Sequence, residues 1–195
     1  MNRTRILAIF APIALFLTAC GVNSIPTAEE TAKARWADVQ NNYQRRADLI
    51  PNLVATVRAA AAQERNVLRE VTEARASASR INVTGEQLTD PAAMNRFAEA
   101  QARLTISLQR LQEAYPELRT NANFQDLQSQ IEGSENRITV ARRDYNAAVQ
   151  AYNTEIRTFP SVIGARVIYG SQPMAPYQAD PAAQRAPTVD FGNTQ

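Results

Sequence analysis

Apolar residues recur at alternating steps of three and four from Trp36 to Phe159, and no other feature restricts the fold as tightly. One run goes from Trp36 through Val39, Tyr43, Ile50 and Val57 to Ile81; a second goes from Met94 to Leu118, and a third from Phe124 to Phe159. Of the 33 positions in this series, 28 are apolar, against 45% of the whole chain. Such spacing gives each helix one apolar seam that must be buried against another helix. Two seam positions of the first run are charged, Arg46 and Glu64. They lie 18 residues apart, about 27 Å along a straight helix, so each needs a partner from a neighbouring helix. Arg142 or Arg143 is the candidate partner of Glu64.

The breaks in the series agree with helix-end chemistry. In "INVTGEQLTDP" (81–91), Asp90 is a good N-cap and Pro91 suits a first helical position. The second helix should bend or end at Tyr115-Pro116. "RTNAN" (119–123) makes a turn with asparagines able to cap, and Pro160 stops the third helix. Short loops between long amphipathic helices force antiparallel neighbours. Six glycines are few for the turns of a sandwich. The expected fold is all-α: an elongated antiparallel three-to-four-helix bundle with coiled-coil-like seams over residues 28–159. The apolar segment "PSVIGARVIYG" (160–170) is expected to cover one end or side of it, as a strand-like stretch or a turn of helix. Residues 171–195, with Pro173, Pro176, Pro181 and Pro187, read as a disordered or extended tail.

"NNYQRRADLIPNLVA" (41–55) admits two geometries. The heptad crosses Pro51 without losing phase and leaves it facing outward, which favours one helix kinked there, with the Ala47 carbonyl freed by the missing N–H. Alternatively, Asp48 caps a new helix starting at Leu49 and the chain turns a tight corner.

Composition removes whole classes of chemistry. There is no histidine, hence no commonest metal ligand, no near-neutral acid/base and no Ser-His or Cys-His scheme. One cysteine allows no intrachain disulfide and no Cys/His zinc cluster. Without Arg3 and Arg5 the basic and acidic side chains balance at 19 each, so the rest of the chain has no net field to draw nucleic acid. No catalytic residue, metal site or cofactor is expected.

The start, "MNRTRILAIFAPIALFLTACG", has the anatomy of a signal peptide. Arg3 and Arg5 precede a 12-residue apolar run, Ile6 to Leu17, which is short of the roughly 20 residues of a spanning helix. "LTAC" (17–20) looks like a bacterial lipobox. That implies cleavage after residue 19 and acylation of Cys20, with residues 20–27 as a lipidated tether. The plainer reading is an uncleaved membrane helix through Val22. Gly21, where aspartate would favour inner-membrane retention, leans towards the outer membrane.

The remaining charges have bland readings beside sharp ones. Arg45, Arg46 and Asp48 make either an anion or partner site or, as favoured, a local network that holds the joint at Pro51. Arg142-Arg143 invites a phosphate or headgroup reading, against acids interspersed throughout. Glu132 and Glu135 suit a solvated face better than acid/base or, with Asp126, cation binding. Tyr43, Tyr145 and Tyr152 fall on seams, as core with a polar tip. Trp36 is core sooner than an interfacial anchor.

Three blocks, "YQRRADLIPNLV" (43–54), "AYPELRTNANFQDLQ" (114–128) and "ENRITVARRDYNAAVQAYN" (135–153), closely resemble the LemA family of bacterial membrane-associated proteins. "FPSVIG" and the terminal "VDFG" resemble its C-terminal pattern. The resemblance implies an antiparallel bundle of four helices in a membrane-tethered domain outside the cytoplasm. It supplies no catalytic residues. Many members carry a spanning helix where this chain has a lipobox. The expected function is a non-enzymatic envelope lipoprotein that binds or organises proteins, its partners the membrane through Cys20 and an envelope protein, with Arg45, Arg142 and Arg143 as candidate contacts. A structural spacer and a bundle with a lipid or hydrophobic-ligand cavity are the alternatives.

Overall fold

A computed structural model describes residues 23–60 and 65–178. The leader, Cys20, Glu64 and the "VDFG" block lie outside the described residues. Four long helices build the fold: α1 (Ser24–Ala60), α2 (Arg65–Arg80), α3 (Pro91–Ala114) and α4 (Ala122–Glu155). A short helix α5 (Ser161–Gly164) runs into a π-turn, Ala165–Tyr169. There is no strand among the described residues, and the all-α antiparallel bundle expected from the heptads is the fold observed.

The helix ends follow the capping chemistry. Asp90 accepts from Ala92 N at 2.8 Å with Pro91 at the first helical position. Pro116 ends α3 and opens a 3-10 turn, Pro116–Thr120. Asn121 then caps α4 by accepting from Phe124 N at 3.1 Å. Contacts fix the directions. Ser24 meets Glu155 and Arg46 meets Glu135, so α1 and α4 run antiparallel. Glu70 on α2 meets Arg110 on α3 at 2.7 Å.

The core falls into two clusters along the bundle axis. One holds Trp36, Tyr43, Phe97, Tyr145 and Tyr177, a nest of aromatic rings with centroids 5.1–6.4 Å apart. The other is aliphatic, with Ile50, Leu53, Val57, Leu104, Leu108 and Leu111 around Phe124.

Four expectations need correction. First, Pro51 is not a corner. It sits exposed inside continuous α1, and the first apolar run divides instead between Ala60 and Arg65. Asp48 therefore caps nothing; it is an exposed mid-helix residue that accepts from Gln44 at 2.7 Å. The Ala47 carbonyl that Pro51 frees accepts a 2.8 Å bond from Arg75 Nε on α2. A proline in a helix interior removes one backbone donor, and here a neighbouring helix replaces it.

Second, α1 starts at Ser24, within the expected tether, because Pro26 is tolerated in a first turn and Ile25 is fully buried. Third, α4 ends at Glu155, so the last seam position, Phe159, is 78% exposed and Ile156 takes its place in the core. The 160–170 segment packs through small residues, Ser161, Gly164 and Ala165, and turns Ile163, Val167 and Ile168 outward. It docks on the bundle with its small side chains and does not cover it with its large ones.

Fourth, the expected tail is not disordered from Ser171. Gly170 adopts the left-handed conformation (φ 57°), and Ser171 N donates to Ala165 O at 2.9 Å, which closes the π-turn and redirects the chain. Residues 171–178 then form an extended strap along the bundle, with Met174, Ala175 and Tyr177 buried.

Candidate functional site

The most unusual site is a polar layer between the two apolar clusters. Arg46 is 1% exposed. Its Nη1 donates to Thr105 Oγ1 at 2.9 Å and forms an ion pair with Glu135 Oε1, while Nη2 donates to Gln101 Oε1 at 2.7 Å. The Tyr43 ring lies 5.0 Å from the guanidinium carbon. Nε has no partner among the described residues. One arginine on α1 thus ties α3 to α4. The local network expected of Arg45, Arg46 and Asp48 at Pro51 does not form: Asp48 bonds Gln44, and the Arg46 charge is paired from α3 and α4, as a buried arginine requires. Glu135 needs correction, because it is the counter-charge and not merely part of a solvated face.

Sequence reasoning placed Arg46 but missed its partners. The signal was present: Gln101 and Ser134, which adjoins Glu135, are non-apolar seam positions on the other two runs. An antiparallel register brings all three exceptions to one level.

The second polar assembly holds the strap. Asn153 brackets Met174, accepting from its N–H at 2.9 Å and donating to its carbonyl at 2.8 Å. Asn146 brackets Tyr177 in the same way, at 2.8 and 3.0 Å. These asparagines are seven residues apart on one face of α4, and each imitates a neighbouring strand. Pro173 and Pro176 preset extended backbone and bring no N–H to satisfy. Tyr145 Oη donates to Ala175 O at 2.9 Å, and Ala175 N donates to Leu88 O at 2.7 Å. The Tyr43 and Tyr177 hydroxyls share a hydrogen bond of 2.8 Å. Burial pushes the Tyr43, Tyr145 and Tyr177 phenols up from their ordinary range, so they stay neutral donors.

The other candidates scatter. Trp36 is core and donates to Val83 O at 2.8 Å. Arg142 stacks 4.2 Å over the Tyr177 ring, which gives it a part in holding the strap. Arg143 is exposed beside Asp144 at 3.4 Å, and Arg45 is exposed on α1. Arg45, Asp48 and Arg142-Arg143 do not converge with Arg46 on one binding site. No group of acids that could hold a metal occurs among the described residues. No described helix is long and apolar enough to cross a membrane. A cleft of about 350 Å³ beside the arginine layer mixes amides, among them Gln40, Asn82 and Gln101, with the apolar side chains of Ala78, Ile81 and Phe97.

The two chain ends of the bundle meet at one pole. Ser161 and Ser24 both donate to Glu155 Oε1, each at 2.5 Å, and these bonds hold the carboxyl below its ordinary range. The start of α1 and the exposed apolar segment after α4 therefore lie side by side.

No curated protein matches the chain significantly. The family model described as LemA family matches residues 35–191. That match takes in α1 from residue 35 onward, all of α2, α3 and α4, and the strap, and the chain belongs to the LemA family.

Proposed function

We propose that the protein is a non-enzymatic envelope lipoprotein, acylated on Cys20, whose bundle is a protein-interaction module held at the membrane surface, facing the periplasm and favouring the outer membrane. The observation that carries this reading is the position of Ser24. Helix α1 begins four residues after Cys20 and is clasped to Glu155, so a lipid on Cys20 fixes the adjoining pole of the bundle close to the bilayer. A 37-residue helix is roughly 55 Å long, which sets the far pole and its loops that distance from the anchored one. Buried Arg46 and Gln101 and half-buried Asn146 and Asn153 spend their hydrogen bonds on helix and strap contacts, which supports a structural role for these groups over a catalytic one.

The surface offered to a partner would include the α1–α4 groove, where Val140 is 49% exposed among Asp38, Asn42, Arg137 and Asp144. Two measurements test the proposal. Cys20→Ser should abolish acylation and release the protein from membranes; retention with unchanged mass would defeat the lipoprotein reading. A photo-crosslinker at position 140 in cells should give one discrete adduct that Arg137→Glu weakens. Absence of any adduct there would favour a passive spacer.

A further inference from the structure

We infer that the surface formed by Phe159, Ile163, Val167 and Ile168 is a second, non-covalent membrane contact, seated in the headgroup boundary of the bilayer that holds Cys20. The inference rests on the lipoprotein reading above. Phe159 is 78% exposed, Val167 79%, Ile168 61% and Ile163 50%. Single exposed apolar residues are ordinary, but a contiguous cluster marks an interaction surface. Three of the four recur every fourth residue, and the small residues Ser161, Gly164 and Ala165 face the bundle in their place. Amphipathic anchoring segments have this division.

What covers the cluster follows from chain length. Ser24 and Ser161 bond the same Glu155 oxygen. Ser24 lies four positions after Cys20, and four chain steps span at most about 14 Å. A lipid on Cys20 thus brings the bilayer within reach of the cluster, whichever way the intervening residues run. Exposed Arg157 and Arg166 flank it, suited to lipid phosphates, and Tyr169, 41% exposed, adds an amphipathic ring. Among the nearby acids, Glu155 is held by two serines, and Glu29 and Glu30 pair with Lys33.

The test uses the full-length protein carrying Val167→Cys or, as the distant control, Ile106→Cys. Ile106 follows Thr105 in the arginine layer, and Glu135 in that layer is 20 residues, roughly 30 Å, from Glu155 along α4. Each variant is labelled with an environment-sensitive fluorophore and reconstituted in phosphatidylethanolamine–phosphatidylglycerol vesicles containing doxyl-labelled lipid. Intact mass and label stoichiometry report Cys20 separately, since an acylated Cys20 leaves one free thiol. Acylated protein whose label at 167 loses most of its emission to the doxyl lipid, while the label at 106 keeps it, supports the inference. Acylated protein with equal quenching at both sites overturns it and leaves the lipoprotein reading standing. So does a blue shift at 167 without quenching, which would mean a protein partner there. Unacylated Cys20 overturns both.

Discussion

Removing Glu135 should expose how far the bundle depends on one buried charge. Arg46 is 1% exposed, and stripping one partner from a buried pair costs about 3–5 kcal/mol. Two features reduce that here. The Glu135 side chain is 38% exposed, so water reaches its side of the pair, and the Gln101 and Thr105 oxygens stay within 2.7 and 2.9 Å of the guanidinium. We therefore expect Glu135→Ala to cost about 2–3 kcal/mol, between the value for a charged hydrogen bond and that for a buried ion pair. Arg46→Met should behave differently. It removes the charge together with its desolvation penalty but strands the buried Gln101 oxygen, at about 1–3 kcal/mol. Arg46→Met with Gln101→Leu removes both defects and joins the two apolar clusters. That double variant should lie within about 1 kcal/mol of the wild type or above it. Urea unfolding followed by far-UV circular dichroism reads these values, and in a domain of this size each kcal/mol moves Tm by about 2–4 °C. If Glu135→Ala unfolds with the wild type, or the double variant is weaker than Arg46→Met alone, the charge-burial argument is wrong.

Pro51→Ala restores the missing helix donor and should stabilise by about 1 kcal/mol, and Arg75→Ala should cost about 1.5 kcal/mol in the wild type and less than half that beside Pro51→Ala; equal costs in both backgrounds would show that Arg75 does not serve the freed carbonyl. Tyr177→Ala should cost about 3–5 kcal/mol and Tyr177→Phe about 1, by the same urea assay, because the ring fills the aromatic cluster and the hydroxyl adds one hydrogen bond; a neutral Tyr177→Ala would mean the strap is not part of the core. The Tyr43, Tyr145 and Tyr177 phenols have raised folded-state values, so their contribution is complete below the unfolded value of about 10 and is lost as pH climbs above it. Tyrosinate absorbance from these residues should then rise together with the loss of helical signal, and ionisation well before that loss contradicts the linkage.

The heptads made most of the bundle legible, because a seam must be buried wherever it occurs. They also exposed Arg46 as an anomaly in need of a partner. Its partners were legible only in part: Gln101 breaks its own seam, but Glu135 is an ordinary helical polar residue until antiparallel packing sets it level with Arg46. The strap was misread for the opposite reason. Closely spaced prolines signal an extended chain in either case, and only the spacing of Asn146 and Asn153, two turns apart on another helix, distinguishes a docked segment from a free one. At 160–170 composition misled, since the large apolar residues suggested burial while the small ones between them made the contact.

The strap also imposes an order on folding. Tyr43 and Tyr177, joined hydroxyl to hydroxyl, are 134 residues apart in sequence. A nascent chain can pair α2 with α3, and seat the aliphatic cluster, from nearer segments, but the aromatic cluster stays incomplete until the strap arrives. Contacts of such long sequence separation form late, and segments held by few of them open first. Amide exchange should therefore divide the molecule at the arginine layer, with the half that carries Ser24 and the strap opening ahead of the half around Leu104 and Leu108. The pole that carries Ser24 and Glu155 would be the last part of the bundle to settle and the first to loosen.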